Sequence, residues 1–286
     1  MKRLLLLSGK GGTGKTTLSA AFVKLSQAKA VADCDVDAPN LHLVVAPHGE
    51  GEDFDFLGGD KAVVDATRCA GCGQCEANCR FGAIRVVDGV ARVNEYACEG
   101  CGVCAYLCPA ISMEQDIAGT RTLYKGEKVF STATLKMGRG TSGKLVTDVK
   151  LAMLQNAPEC DLAIVDGSPG IGCPVIASIS GMDMVLVVAE PSESGLSDLE
   201  RLVKSARTFG AKLAVCVNKY DQSPQHAEAI RAYCALEGLP FVGMVPFDAE
   251  AVQAANTGHT LVDTPSPAAR AVKAIYKNVV QLLEEE

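Results

Sequence analysis

Eight of the thirteen cysteines in the 286-residue chain fall in one stretch and repeat one spacing twice. Each copy reads Cys-x₂-Cys-x₂-Cys-x₃-Cys, at Cys69–Cys79 and at Cys98–Cys108. Two-residue gaps let three thiolates converge on one iron-sulfur cubane, and the fourth cysteine of each run then binds the other cluster. The spacing predicts two [4Fe–4S] clusters with exchanged fourth ligands. Their predicted ligands are Cys69, Cys72, Cys75 and Cys108 for the first, and Cys98, Cys101, Cys104 and Cys79 for the second.

Two other uses of these cysteines stay open at this point, paired zinc knuckles and a disulfide framework. Zinc sites usually join two CxxC units across a longer gap, and disulfides are rare in the cytosol, where we expect this chain. One departure from the bacterial ferredoxin pattern is Arg80, which stands where a proline usually follows the fourth cysteine; Pro109 follows the second run. A module of this kind indicates electron transport or a response to redox state.

A second chemistry-bearing stretch, Gly9–Thr16, satisfies the pattern G-x-x-x-x-G-K-[ST]. It follows an apolar run and precedes a helix-like stretch, the setting in which backbone N–H groups surround phosphate oxygens. Lys15 would then reach the β- and γ-phosphates of a nucleotide, and Thr16 would offer its hydroxyl to Mg²⁺. The remaining predicted contacts come from the same loop: Gly11, Gly12, Thr13, Gly14 and Thr17.

The loop carries an additional lysine at its head. The string Lys10–Thr17 resembles the deviant Walker A motif of the MinD, ParA, Mrp and nitrogenase iron protein family of P-loop ATPases. In that family the leading lysine crosses a dimer interface to the partner's nucleotide. The resemblance implies that Lys10 acts in trans on charge developing at the transferred phosphoryl group of ATP, so that hydrolysis depends on dimerisation. The partner would be a second copy or a sister ATPase.

Other residues match this family in the expected order. The resemblance assigns Asp33 and Asp35, in an Asp-x-Asp pair after the second apolar run, to the Mg²⁺ shell and the attacking water. Asp166 resembles the Walker B aspartate, which reaches Mg²⁺ through water or Thr16. The implied catalytic set is Lys10, Lys15, Asp35 and Asp166. For the purine base the resemblance implies Asn218, Pro246 and Asp248.

One α/β fold would position these residues. Continuous apolar runs, typical of parallel strands covered on both faces, are expected as strands at Leu162–Val165, Met184–Ala189, Leu213–Val217 and Phe241–Val245. The sequence predicts a mostly parallel, doubly wound P-loop sheet formed by residues 1–60 and 119–286. Residues 61–118 are predicted to be an inserted small α+β domain of the bacterial ferredoxin type, with a hairpin turn at Asp88-Gly89. Over its whole length the chain resembles MinD-like ATPases with such an insert.

Composition limits the partners. The net charge is −7, with 27 basic and 34 acidic residues and no basic run, so we expect no nucleic-acid partner. No apolar stretch approaches the roughly 20 residues of a membrane span, and a cytoplasmic protein is expected. The helix-like stretch 268–286 is amphipathic but ends in three glutamates, which anionic lipid would repel, so no stable membrane association is expected.

Cys173 follows Asp166 at about the offset where the nitrogenase iron protein carries a cluster-bridging cysteine. Bridging needs a second cysteine in each subunit, and the glycine-rich segment 137–141 has none, so a ligand, a packed thiol and a redox-sensing thiol stay open. Three functions remain. The first is an ATP-gated electron donor to an acceptor protein, the second a maturation factor that delivers a metal or an iron-sulfur cluster to a client, and the third a MinD-like spatial regulator.

Overall fold

Eleven strands form two sheets in the computed structural model, which describes residues 1–47 and 49–285. The strands are β1 (Lys2–Leu7), β2 (Ala30–Asp33), β3 (Gly51–Val64), β4 (Ile84–Val87), β5 (Val90–Val93), β6 (Ile111–Tyr124), β7 (Val129–Leu135), β8 (Leu162–Asp166), β9 (Met184–Ala189), β10 (Lys212–Asn218) and β11 (Phe241–Val245). Nine of them form one sheet in the order β11-β10-β9-β1-β8-β2-β7-β6-β3. The other two, β4 and β5, pair antiparallel across the predicted Asp88-Gly89 turn.

Ten helices accompany the strands in the described residues. They are α1 (Lys15–Ser26), α2 (His42–Val45), α3 (Gln74–Ala77), α4 (Val103–Leu107), α5 (Ser142–Asn156), α6 (Cys173–Ile179), α7 (Glu193–Arg207), α8 (Pro224–Leu236), α9 (Ala249–Asn256) and α10 (Pro267–Glu284). The amphipathic helix α10 buries Val272, Ile275, Val279 and Leu283; Glu286, the end of the predicted helix, lies outside the described residues. Within the described chain, no helix is both long and apolar enough to span a bilayer.

The centre of the large sheet is parallel, as predicted. Strand β1 pairs in parallel with β8 on one side and β9 on the other, and β2 and β10 extend the parallel order outward. The side chains of β9 are all buried, which explains why the strand reads as an unbroken apolar run. Parallel strands share a carboxyl edge, and Asp33 and Asp166, the last residues of β2 and β8, are register partners there.

The chain divides into two compact units. One comprises Met1–Asp53, Arg121–Thr134 and Ser142–Glu286, and the other comprises Phe54–Thr120 and Leu135–Thr141. The sequence-based limits at 61 and 118 fall inside the long strands β3 and β6. These domain limits stay a prediction. The paired glycines and acidic residues of β3 belong to types that are depleted in strands, so the sequence gave no indication of how long this strand is.

The second unit contains the two cysteine runs and has a core of small residues. Its buried members are Ala62, Cys75, Ala83, Ile84, Ala91, Cys98, Cys104 and Ile111. The segment Leu135–Thr141 is held in this unit by Arg139, whose Nε lies 2.9 Å from Asp116 Oδ2 and whose guanidinium lies 5.2 Å from the ring centre of Tyr96. A core this poor in large apolar side chains gains little from burial alone, so bound clusters would contribute to its folding.

Candidate nucleotide and iron-sulfur sites

A cavity of about 350 Å³ lies at the carboxyl edge of the parallel strands in the first unit. Its volume is within the range of small-molecule sites. It brings together the phosphate loop and four segments that are distant in sequence. Of the residues predicted from the sequence, those that line it are Lys10, Gly11, Gly12, Thr13, Gly14, Lys15, Thr16, Thr17, Asp35, Asn218, Pro246 and Asp248.

Asp166 lies beneath this loop as the centre of a buried polar cluster. Its Oδ1 is 2.8 Å from Lys15 Nζ, and both side chains are almost fully buried. Thr16 Oγ1 donates to Oδ2 at 2.8 Å, and Ser19 Oγ donates to Oδ1 at 2.6 Å. Sequence reasoning missed Ser19, although it lies three residues after Thr16 and therefore on the same face of α1. The cluster fixes the lysine and the threonine hydroxyl at the floor of the cavity.

The two aspartates of the Asp-x-Asp pair occupy different environments. Asp33 is buried, and its carboxylate accepts backbone N–H groups of Asp35 at 3.1 Å and of Asn40 and Leu41 at 3.0 Å. These bonds close the loop that follows β2. Asp35 lines the cavity, and burial raises the pKa of its carboxyl group. Of the two, Asp35 is therefore the one placed to act on a bound nucleotide or its metal.

The buried carboxyl group of Asp33 should make the free energy of unfolding depend on pH. Burial, with the neighbouring charge of Asp166, raises the pKa of Asp33 to about 7, against about 3.9 in an unfolded chain. The folded state thus binds more protons between these values, and the stability from this group is lost as pH rises from about 4 through 7. Anaerobic urea denaturation should show the free energy of unfolding of the wild type falling over this window relative to Asp33→Asn. Parallel profiles would contradict the raised pKa.

The predicted base-recognition residues reach the cavity but also bind other parts of the chain. Asn218 Nδ2 donates to Thr13 O at 2.7 Å, and Lys219 Nζ donates to Gly12 O at 2.9 Å. Asp248 accepts from Glu250 N at 2.9 Å as the N-cap of α9. Asn218 and Lys219 therefore hold the carbonyl side of the phosphate loop, which leaves its N–H groups for a ligand. Contact with a purine stays a prediction for Asn218, Pro246 and Asp248.

Thr13 provides a test of whether this cavity suits a phosphate group. Its hydroxyl is buried and finds no hydrogen-bond partner within the described part of the chain, although the residue lines the cavity. A buried hydroxyl is normally hydrogen-bonded. An unpaired donor on a residue that lines the same cavity as Lys15 fits an anionic ligand such as a nucleotide phosphate.

Seven of the eight cysteines in the two runs lie in two groups, and each group draws members from both runs. Cys79, from the first run, lines one cavity with Cys98, Cys101 and Cys104 of the second run. In the other group, burial raises the pKa of the Cys75 thiol, and the nearby thiols of Cys108 and Cys69 raise it further. No group of three or more His, Cys, Asp or Glu side chains in the described residues is arranged to hold a single ion. A cubane binds each thiolate at a different iron corner, so its ligands are more widely spaced than those of one ion.

Backbone N–H groups point at two of the sulfur atoms. Ala91 N lies 3.4 Å from Cys69 Sγ, and Ala83 N lies 3.3 Å from Cys79 Sγ. The hydrogen bond from Ala91, with one from Gly71, lowers the pKa of the Cys69 thiol. Such bonds favour the thiolate, the form that binds metal, and influence the potential of a bound cluster.

Two glycines at matching positions in the runs predict a local effect on stability. Gly71 and Gly100 have φ angles of 64° and 67°, and a Cβ at either would lie 2.3 Å from a backbone oxygen, that of Gly89 or of Asp60. Gly73 has a φ of 75° but nothing within 4 Å. Gly73→Ala should cost roughly 1 kcal/mol from backbone strain alone, and Gly71→Ala distinctly more. Urea unfolding followed by cluster absorbance measures both, and equal losses would contradict the close approach.

The remaining cysteines differ in exposure. Cys34, Cys216 and Cys234 are buried, Cys160 is partly buried, and Cys173 is exposed at the first position of α6. Burial is the reason that the pKa of the Cys216 thiol rises to about 12. Buried thiols in apolar surroundings are inert, so Cys216 and Cys234 contribute to packing rather than to chemistry.

A family model described as the CobQ/CobB/MinD/ParA nucleotide binding domain matches residues 4–262. Among solved structures, the cell division ATPase MinD of Pyrococcus furiosus superposes with a TM-score of 0.58 at 18% identity, covering 99% of this chain and 100% of that one. This likeness concerns the fold alone, and it confirms the predicted MinD-like P-loop architecture.

Two relatives carry names that mention redox chemistry or clusters. The iron-sulfur cluster carrier protein of Pyrococcus horikoshii is 24% identical over 99% of this chain and 87% of its own. One component of an ion-translocating oxidoreductase complex from Methanosarcina acetivorans is 35% identical over 78 residues, 27% of this chain and 27% of its own.

Proposed function

Because the chain belongs to the CobQ/CobB/MinD/ParA nucleotide-binding domain family, we propose that it hydrolyses ATP as a dimer and couples this switch to electron transfer through two [4Fe–4S] clusters. The proposal is supported by the presence in one chain of a lysine- and threonine-lined cavity and of two cysteine groups, one with all four members of a predicted ligand set and one with three members of the other. A nucleotide switch and a pair of redox groups in one chain favour coupling between them.

The residues in and beneath the nucleotide cavity have the chemistry that ATP hydrolysis requires. Lys15 binds the β- and γ-phosphate oxygens, and Asp35 orients the attacking water from the wall of the cavity. Mg²⁺ held by Thr16 and by Asp166 would offset the charge of the phosphates. Lys10, at the exposed head of the loop, supplies the positive charge that the partner's phosphates meet in the dimer.

The redox half rests on the chemistry of the donors. Thiolate sets of four, hydrogen-bonded by backbone N–H groups, suit [4Fe–4S] clusters, which accept and release single electrons. Cys72 and Cys101 are exposed, so each predicted cluster has one ligand at the surface, where a partner protein can approach. We infer that the partner is a one-electron acceptor and that the nucleotide state controls delivery to it.

A second candidate is delivery of a cluster or metal to a client protein, favoured by the full-length similarity to a protein named as an iron-sulfur cluster carrier. The two candidates differ in cargo. A donor keeps its iron while it loses electrons, whereas a carrier loses iron to its recipient.

The proposal is tested with anaerobic protein of known iron content. ATP hydrolysis per chain should rise with protein concentration, and sedimentation should show a dimer with ATP that Lys10→Ala lacks while it still binds ATP. Mixing with an iron-free [4Fe–4S] ferredoxin should leave about eight iron atoms per chain. A hydrolysis rate independent of concentration would contradict the dimer, and iron transfer that depends on ATP would favour delivery instead.

A further inference from the structure

Lys10 is held within its own chain by two contacts. Its ammonium lies 2.7 Å from Glu190 Oε2 and donates to Ser194 Oγ at 3.2 Å. Ser8 Oγ donates to the carbonyl of Lys10 at 3.0 Å, which fixes the backbone from which the side chain extends. The side chain is therefore directed toward the end of β9 and the start of α7.

The partner in this pair is positioned by its own backbone. Glu190 follows β9 directly, and its carbonyl accepts from Ser192 N at 2.8 Å. That carbonyl packs so closely on Gly195 that a Cβ there would lie 2.2 Å away. The backbone of Glu190 thus has one fixed place, and its carboxylate remains within reach of the phosphate loop.

From this geometry we propose that Glu190 is a cis latch that retains Lys10 and sets the threshold for ATP-driven dimerisation. This inference rests on the proposed trans role of Lys10. A lysine cannot bind Glu190 and a partner's phosphates at the same time with the same geometry, so each dimer must first break two cis pairs. Glu190 is a positioning residue, because it acts on the nucleotide only through Lys10.

The strength of the pair suits a latch. The side chains of Lys10 and Glu190 are 38% and 29% exposed, and a solvent-exposed ion pair favours its paired state by at most about five-fold. Such a contact favours the position of the Lys10 side chain beside Glu190, but a phosphate, whose negative charge is larger, can replace the glutamate. A buried pair such as that of Lys15 and Asp166 would hold too firmly.

The test compares Glu190→Gln with Glu193→Gln. Both variants remove one negative charge from the same loop and helix start, but Glu193 is exposed in the first turn of α7 and is neither of the two residues that bind the Lys10 ammonium. Sedimentation with Mg²⁺ and a non-hydrolysable ATP analogue should show about four- to twenty-five-fold tighter self-association for Glu190→Gln, because two pairs of about two- to five-fold each no longer have to be broken, and no change for Glu193→Gln. Equal behaviour of the two variants would overturn the latch.

A second readout does not depend on dimerisation. In monomeric protein without nucleotide, acetylation of Lys10 by an amine-reactive ester, followed by peptide mass spectrometry, should be about two- to five-fold faster in Glu190→Gln. Faster labelling without any ATP-driven dimer would retain the latch and contradict the proposed dimeric function. Unchanged labelling would overturn the latch even if the protein dimerises.

Discussion

Replacing Lys15 with alanine is expected to abolish ATP hydrolysis and to lower the free energy of unfolding by roughly 3–5 kcal/mol. The second effect follows because Asp166 is fully buried and would lose its only ion-pair partner in the described residues. Thr16 and Ser19 would still donate hydrogen bonds to its carboxylate, but they carry no charge. Urea denaturation and steady-state phosphate release measure the two effects separately.

A double variant separates the structural role of Lys15 from its catalytic one. Lys15→Ala combined with Asp166→Asn removes both charges of this buried pair, so most of the lost stability should return while hydrolysis stays absent. If Lys15→Ala alone were as stable as wild type, the buried pair would not have the importance assigned to it. If the double variant hydrolysed ATP, the catalytic assignment of both residues would be wrong.

Paired cysteine replacements are expected to divide the iron content according to the exchanged ligand pattern. Cys79→Ala with Cys101→Ala removes two ligands of one predicted cluster, so about four of about eight iron atoms should remain. Cys79→Ala with Cys72→Ala removes one ligand from each cluster, so little iron should remain. Iron and sulfide analysis of anaerobically purified protein, with spin quantification after reduction, measures both.

The opposite arrangement, in which each run binds its own cluster, would reverse the iron contents of the two paired variants. If each run bound its own cluster, the pair Cys79 and Cys72 would leave about four iron atoms, and the pair Cys79 and Cys101 would leave almost none. Cys173→Ala is the matched control, because Cys173 is exposed outside both groups, and it should leave the iron content unchanged. Equal iron in the two paired variants would also contradict exchange.

The parallel core was the most predictable part of the fold. Met184–Ala189 and Phe241–Val245 have the strand limits expected from their apolar runs, because strands buried on both faces tolerate few polar residues. The hairpin at Asp88-Gly89 was equally predictable. Its turn residues have positive φ angles of 53° and 77°, which few residue types other than glycine, asparagine and aspartate adopt.

The long strands β3 and β6 were not predictable in this way. Strand β3 includes Gly58, Gly59 and several acidic residues over Gly51–Val64, a composition more typical of loops. Its strand form is decided by pairing at the edge of the nine-stranded sheet, which is a non-local property. The segment that carries Arg139 joins the cysteine unit for a similar reason, because its partners Glu95 and Asp116 are distant in sequence.

At the nucleotide site, motif spacing located the loop and Asp166 but not how they are held together. Lys219 and Ser19 support the loop and Asp166 through single hydrogen bonds, and no motif specifies those. The pairing of Lys10 with Glu190 was likewise outside sequence reasoning, because it joins residues 180 positions apart that meet only at the shared edge of adjacent parallel strands β1 and β9. Spacing identifies reacting groups, whereas the contacts that position them depend on topology.

Coupling between nucleotide binding and the redox state of the clusters is tested most directly by redox titration. The midpoint potentials of the clusters would be measured by low-temperature spin resonance with Mg²⁺, with and without a non-hydrolysable ATP analogue. A coupling free energy of about 1–3 kcal/mol, typical of linked sites, corresponds to a shift of roughly 40–130 mV for a one-electron couple. We expect a shift in this range for the wild type and a smaller shift for Lys10→Ala. Potentials that agree within about 10 mV with and without the nucleotide, well below that range, would contradict it.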